Sequence, residues 1–424
     1  MGPDQADAES GASPRAVFRE PNFRWYLASR FFSGTAMMLL RTAVSWHVYD
    51  LTQSAFQLGM IGLIQFLPVL PLSLVAGAVA DVVDRRRLVL LSQLVPLVCS
   101  LALCVATLSG GPGLPVLYGA IALAAIASVF ESPARASILP QLVPRELFPR
   151  AVTVSSTAIW LAFSTGPMLM GFAAAQGGIA AAYGLHALLV VGSLASLLKL
   201  PPLGATTSAR VSWESIREGL AFVWRSPVVL GCMTLDMFAV ILGGATALLP
   251  IYARDILSVG ELGYGLLSAS LELGALAMSG ALIFLPGFRR AGTALLVAVG
   301  VYGLATIVFG LSRWFPLSVL AYMVAGMADA VSVVLRGTAI QLSTPDALRG
   351  RVSSVNFIFI GASNQLGAAE SGFLAALTSA TFAVVSGGVG CLVVVALVAW
   401  RMPALGSSRS SGPRAISHAP TTAT

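Results

Sequence analysis

The chain has 424 residues, of which 57% are hydrophobic and 10% charged, and its mean hydropathy is +0.85. Soluble domains carry roughly 25% charged residues, so this composition excludes an ordinary soluble protein and places most of the chain in lipid. The formal charge of +7 comes from arginine, Lys199 being the single lysine. In so apolar a chain these cations read as topological signals at a membrane surface, not as a nucleic-acid footprint.

Residues 1–22 are polar and hold no apolar core of signal-peptide length, so an uncleaved tail is expected. A helix needs about 20 apolar residues to cross the hydrocarbon. On that scale the sequence predicts an all-α membrane protein with twelve spans. Six lie near 25–49, 55–80, 88–109, 115–138, 150–175 and 178–198; six more lie near 227–251, 264–286, 292–311, 316–341, 352–377 and 380–400. The implied units are 23–198 and 227–401, joined by 199–226 and followed by a second polar tail, 402–424. The linker starts at Pro201-Pro202 and turns amphipathic, with Trp213, Ile216, Leu220 and Trp224 on one face and Glu214, Arg217, Glu218 and Arg225 on the other. That pattern predicts a helix lying flat at the membrane interface, although a soluble linker helix has the same pattern.

On this layout nineteen of the basic residues fall on one side of the membrane and two, Arg254 and Arg313, on the other. The bias predicts a plasma-membrane protein with both termini in the cytoplasm. The spans are rich in glycine and proline, including Pro68, Pro71, Pro96, Gly166-Pro167, Gly243-Gly244 and Gly387-Gly388. Glycine lets backbones approach and proline frees carbonyls, which helices that move against one another require. Cys99, Cys104, Cys232 and Cys391 lie within apolar runs without metal-ligand spacing and read as packing residues.

After the second span, Gly77 is followed by Asp81, Asp84 and then Arg85-Arg86-Arg87. This resembles the loop between helices 2 and 3 of the major facilitator superfamily, with Gly77, Asp81, Arg85 and Arg86 on the pattern. Val82 stands at a usually basic position and Asp84 at a usual glycine. The resemblance implies a cytoplasmic latch between two pseudo-symmetric six-helix bundles. Phe23-Arg24, Ala28-Ser29-Arg30, Tyr49-Asp50-Leu51-Thr52-Gln53-Ser54 and Ser132-Pro133-Ala134-Arg135 are similar to segments of its enterobactin-exporter-like subgroup. So are Leu139 to Pro144, Leu249-Pro250, and Thr344-Pro345 running into Arg349-Gly350-Arg351, and together the pieces cover roughly 20–400. The subgroup implies proton-coupled export of a siderophore, drug or other natural product by a monomer. Two features of family antiporters are weak or missing: Leu117 to Val129 carries no charge, and the helix 5 exporter motif survives only as Gly166-Pro167 and Gly171.

A charge at mid-bilayer costs about 2.5–3.5 kcal/mol on insertion scales, so each needs a reason. Asp236 lies about 13 Å into the seventh span, Glu272 about 12 Å into the eighth and Asp329 about 20 Å into the tenth. These three are the candidates for proton coupling, since burial brings the charged and neutral forms of a carboxyl closer in free energy. Arg30 and Arg41 on the first span are candidate charge partners for Asp236 or Glu272 across the halves. Glu131, Arg135 and Arg336 fall nearer the boundary and are expected to pair locally. Trp46, Gln65 and Trp160, with Asn356, Asn364 and Gln365 of a polar eleventh span, are candidate cavity walls, although hydrogen bonding between helices explains the same polar residues. No metal-binding histidine spacing, nucleotide-binding glycine loop or nucleophile motif occurs, so the chain is expected to be neither an enzyme nor ATP-driven, with no cofactor. The expected partners are a small molecule, protons and the bilayer. Uptake in place of export, or a transport-dead sensor or scaffold, remain the alternatives.

Overall fold

A computed structural model of the chain describes residues 14–202, 213–285, 290–345 and 348–401. A short 3-10 turn, Pro14–Arg19, precedes α1 (Pro21–Thr52), α2 (Ala55–Val82), α3 (Arg85–Leu108) and α4 (Leu114–Ala136). After one turn at Leu139–Leu142 comes a helical stretch, Phe148–Leu198. Unbroken, its 51 residues would reach about 76 Å, more than twice the hydrocarbon thickness. Gly177 and Gly178 break it, with φ at +70° in Gly178, a backbone state that a Cβ makes costly. The stretch is therefore two helices, α5 (148–176) and α6 (179–198), divided where the sequence places a loop.

The second half of the chain runs α7 (Trp213–Arg225), α8 (Pro227–Leu242), α9 (Gly260–Phe284), α10 (Ala291–Leu311), α11 (Phe315–Ser343), α12 (Arg349–Leu377) and α13 (Ala380–Arg401). Between α8 and α9 the expected seventh span is not one continuous helix. It stops at Gly243, continues as a 3-10 turn Ala245–Leu248, a single α turn Leu249–Ile251, and a π turn Tyr252–Ile256. Tyr302 Oη donates to the freed Gly243 carbonyl at 3.2 Å, the kind of replacement partner a broken helix in lipid needs. Proline in the first turn starts α1, α4, α5, α8 and α11, where its missing N–H costs nothing. Asp84, which replaces a usual glycine, caps α3: its carboxylate accepts from the Arg87 N–H at 2.8 Å.

Among the described residues, eight helical stretches are long and apolar enough to cross a membrane, and Phe148–Leu198 is one of them. Large exposed apolar residues recur at helical spacing on α3 (Val98, Leu101, Val105, Leu108), α10 (Val297, Val301, Leu304, Val308) and α13 (Val389, Val393, Leu397). One-sided stripes of this kind face lipid. By contrast α1 and α12 fall outside the set of eight. They carry Arg30, Arg41 and His47, and Asn356, Asn364, Gln365 and Glu370, so they need shelter from lipid.

Packing provides that shelter. Within the first half, α1 packs on the α5–α6 stretch, α3 on α4 and on that stretch, and α2 on α4. Within the second half, α10 packs on α11 and α13, α9 on α11, and α8 on α12 and α13. Among the described residues the most extensive packing between the halves is of α2 against α12 and of the α5–α6 stretch against α9. Glycines make both close, because a Cβ on Gly62 would sit 2.6 Å from the Gln365 carbonyl oxygen, and one on Gly171 would sit 2.6 Å from that of Glu261.

Candidate functional site

The apolar core is shared at one end of the molecule and divided at the other. At the end bearing Asp50 and Arg254 a single cluster draws on both halves, including Leu39, Trp46 and Tyr183 with Tyr252, Tyr264, Phe309 and Tyr322. At the opposite end, near the arginine-rich loops, one cluster belongs to the first half (Phe23, Leu88, Leu139, Leu197) and another to the second (Val229, Leu295, Leu335, Val352). Among the described residues, apolar packing thus joins the halves at one end and runs separately within each half at the other.

The seal carries specific contacts between the halves. Trp46 stacks on Tyr264 with ring centroids 5.0 Å apart and planes 26° from parallel. Tyr264 Oη also donates to the Thr42 carbonyl at 3.3 Å. At the rim, the Tyr49 hydroxyl donates to Asp255 and Arg254 pairs with Asp50. Deeper in, and within the second half, Phe309 packs against both Tyr252 (4.6 Å) and Tyr322 (4.9 Å), and Tyr322 Oη meets Thr246 Oγ1 at 2.8 Å.

Below the seal lie the charges. Arg41 of α1 interacts electrostatically with Glu272 of α9 and with Tyr264 and Tyr322. Glu272 in turn feels Asp329 of α11, and Asp329 feels Asp236 and Arg336. Asp329 and Asp236 line one small cavity with Tyr302 and Ser332. Arg41, Glu272 and Asp329 are each half-buried near the middle of their helices. Asp236 is different: it pairs with Arg336, and the two side chains are 8% and 6% exposed. The sequence reading puts Asp236 and Glu272 together; the structure sets Asp329 between them. Of the two first-span arginines weighed as partners, Arg41 is within electrostatic range of Glu272, whereas Asp236 pairs with Arg336 of its own half.

The remaining candidates are distributed. Trp46 belongs to the seal. Gln65, Trp160, Asn356 and Gln365 are half-buried; Trp160 meets Phe163 edge-on at 6.2 Å. Asn364 is exposed, and its amide donates to the Ile360 carbonyl of its own helix at 2.9 Å. Arg30 is half-buried beside Glu131 and Arg135. Of the expected latch, the side chains of Gly77 and Asp81 lie outside the described residues. Arg85 donates to the Ser137 carbonyl at 3.1 Å and Arg86 to the Leu198 carbonyl at 3.0 Å, so both bind carbonyls at the C-terminal ends of α4 and α6, where cations are favoured. On α7, Val223 is buried, Trp224 is exposed, and Glu218 pairs with Arg351; the side chains of Trp213, Glu214 and Ile216 lie outside the described residues. His47 Nδ1 is 2.9 Å from the buried Tyr183 hydroxyl, and no metal-binding cluster occurs among the described residues.

Sequence reasoning missed the seal residues Asp50, Arg254, Asp255, Tyr264 and Tyr322 as a site. One signal was available: Asp50 and Arg254 close the first span of each half, on a side of the membrane that otherwise has few cations.

Helices of this length, sealed in two halves around buried charges, define a membrane transporter of the major facilitator type and not an enzyme. The family model described as transmembrane secretion effector matches residues 12–423, and the chain belongs to that family. It is 28% identical over 401 residues to the enterobactin exporter EntS of Shigella boydii serotype 18 and to that of Escherichia coli O81, covering 93% of this chain and 95% of each relative. Among solved structures, it is similar to a POT family transporter in complex with thioalcohol conjugated peptide (TM-score 0.71, 13% identity, 90% of this chain and 96% of that one). It is also similar to the nucleoside transporter NupG (TM-score 0.70, 12% identity, 92% and 100%). At such identities these two bear on the fold alone.

Proposed function

We propose that the chain is a twelve-span exporter of small amphiphilic molecules, built of six-helix bundles 23–198 and 227–401 and driven by protons through alternating access. The observation that carries it is the shared core at one end and the divided core at the other, with Arg41, Glu272 and Asp329 where they part. The excess of arginine at the divided end makes that end cytoplasmic in this reading. The state described is then open to the cytoplasm and closed outward, with both termini inside. The linker helix α7 lies at the same face. The exporter relatives favour outward movement of cargo, such as a siderophore or another natural product.

Within the crevice, Glu272 and Asp329 are the proposed proton carriers. Both are half-buried, lie near one another, and come from helices of the half opposite Arg41. A proton on Glu272 releases Arg41 from its counter-charge, and this couples the seal above to the protonation state below. Asp236 has the same residue type, but its pairing with Arg336 supports a structural role.

The test is export from proteoliposomes under an imposed pH gradient. Glu272→Gln and Asp329→Asn are expected to abolish gradient-driven export while preserving facilitated exchange; Asp236→Asn is expected to reduce the yield of folded protein instead. Gradient-driven export that survives both Glu272→Gln and Asp329→Asn rules out the assignment.

A further inference from the structure

We infer that the crevice takes up an acidic group of its cargo at Arg30, so that the substrates are amphiphilic organic anions. The inference rests on the transport reading above and adds the chemical class. Eleven residues separate Arg30 from Arg41 on α1, which at 3.6 residues per turn sets them within about 20° of one another and about 16 Å apart along the axis. Arg30 and Arg41, both half-buried, therefore share one stripe of α1, with Arg30 further toward the divided end. Met37 sits between them on that stripe and is 46% exposed.

The electrostatic balance differs at the two arginines. Arg41 has Glu272 opposite it. Among the described residues, the neighbours of Arg30 are the Tyr26 hydroxyl, the Arg135 guanidinium and one carboxylate, Glu131. That carboxylate is already engaged: its Oε1 accepts from Arg135 Nε at 2.7 Å and from Gln93 Nε2 at 3.0 Å, and Arg135 Nη2 lies 2.5 Å from it. Arg135 is 2% exposed and is further held by Ser29 Oγ at 3.3 Å. The buried Nε of Arg30 has no hydrogen-bond partner. Among the described residues one positive charge is left over, on a half-buried arginine, and a partly desolvated charge is stabilised by an anion beside it. A guanidinium suits a carboxylate, which it holds through two parallel bonds, and Met37 offers an adaptable apolar surface for the rest of the molecule.

The test uses purified full-length protein in nanodiscs of zwitterionic lipid, so that no anionic headgroup competes. Binding of a graded set of aryl and alkyl carboxylates is compared with that of their neutral amides by calorimetry, in wild type, Arg30→Gln and Arg30→Lys. The expected result is an acid-over-amide preference of about ten- to a hundredfold, lost in Arg30→Gln and partly kept in Arg30→Lys. Amides that bind as tightly as acids, no binding by any acid, or a preference that persists in Arg30→Gln each overturns it. Export of the same amides from cells is measured in parallel. Amide export without an acid preference removes this inference and leaves the transport reading standing, whereas no export of either class counts against transport itself.

Discussion

The Asp236–Arg336 pair offers the cleanest energetic test of the second half. Both side chains are more than nine-tenths buried, so removing one partner strands the other in a low-dielectric setting. Breaking a buried pair from one side costs about 3–5 kcal/mol, whereas replacing both members with apolar residues of similar volume is often neutral or better. Arg336→Leu and Asp236→Leu are therefore each expected to destabilise by that amount, and the double variant by about 1 kcal/mol or less. At roughly 2–4 °C per kcal/mol for a unit the size of one half, each single change lowers the apparent Tm by about 6–20 °C. The assay is thermal unfolding in detergent at one fixed scan rate, since membrane proteins of this size unfold irreversibly. If the double variant falls as far as the two single effects combined, the pair is not coupled and the argument from burial is wrong.

Two further predictions concern the contacts between halves. Asp50 and Arg254 are half exposed, so their pairing contributes about 0–1 kcal/mol to stability, but that amount bears directly on the seal. Asp50→Arg is expected to raise outside labelling of a cysteine placed beside Tyr264 about two- to fivefold, and Asp50→Arg with Arg254→Asp to restore protection; equal labelling in all three variants would count against a gating role. Gly171→Ala puts a Cβ 2.6 Å from the Glu261 carbonyl, while Gly119→Ala meets open space; melting curves should show a cost of about 1–3 kcal/mol for the first and none for the second.

The elements were legible because their causes are local. Hydrophobic runs, first-turn prolines and the Gly177-Gly178 break each act within a few residues, and outside the seventh span each expected segment overlaps a helix. The break in the seventh span was written only as Gly243-Gly244 and Pro250, and its rescue by Tyr302 comes from a residue about sixty positions away. The site was legible as a set of residue types and not as pairs. Depth along a helix marks Asp236, Glu272 and Asp329 as unusual, but depth carries no azimuth, and azimuth decides that Asp236 pairs with Arg336 of its own half and not with an arginine of the first span. The same limit hid the seal, because aromatic residues such as Tyr264 and Tyr322 are unremarkable in an apolar helix until a partner from the other half is placed against them.

The location of the charges follows from what a seal of this kind must do. An apolar core shared between two halves excludes water, and separating it exposes that surface, so the core cannot itself hold ions while it is closed. Ionisable groups that respond to both states have to stand at its edge, where the shared core becomes two. Arg41 and Glu272 occupy that edge, one from each half, whereas Asp236 and Arg336 lie within the core of one half and move with it as a unit. In the proposed alternating-access cycle, the close contacts of α2 with α12 and of α5 with α9 would be the surfaces on which the halves turn, because glycine backbones slide without unlocking interdigitated side chains. In the alternating-access reading, a proton or an anionic cargo changes the charge at the edge, and the free energy it alters is that of the seal.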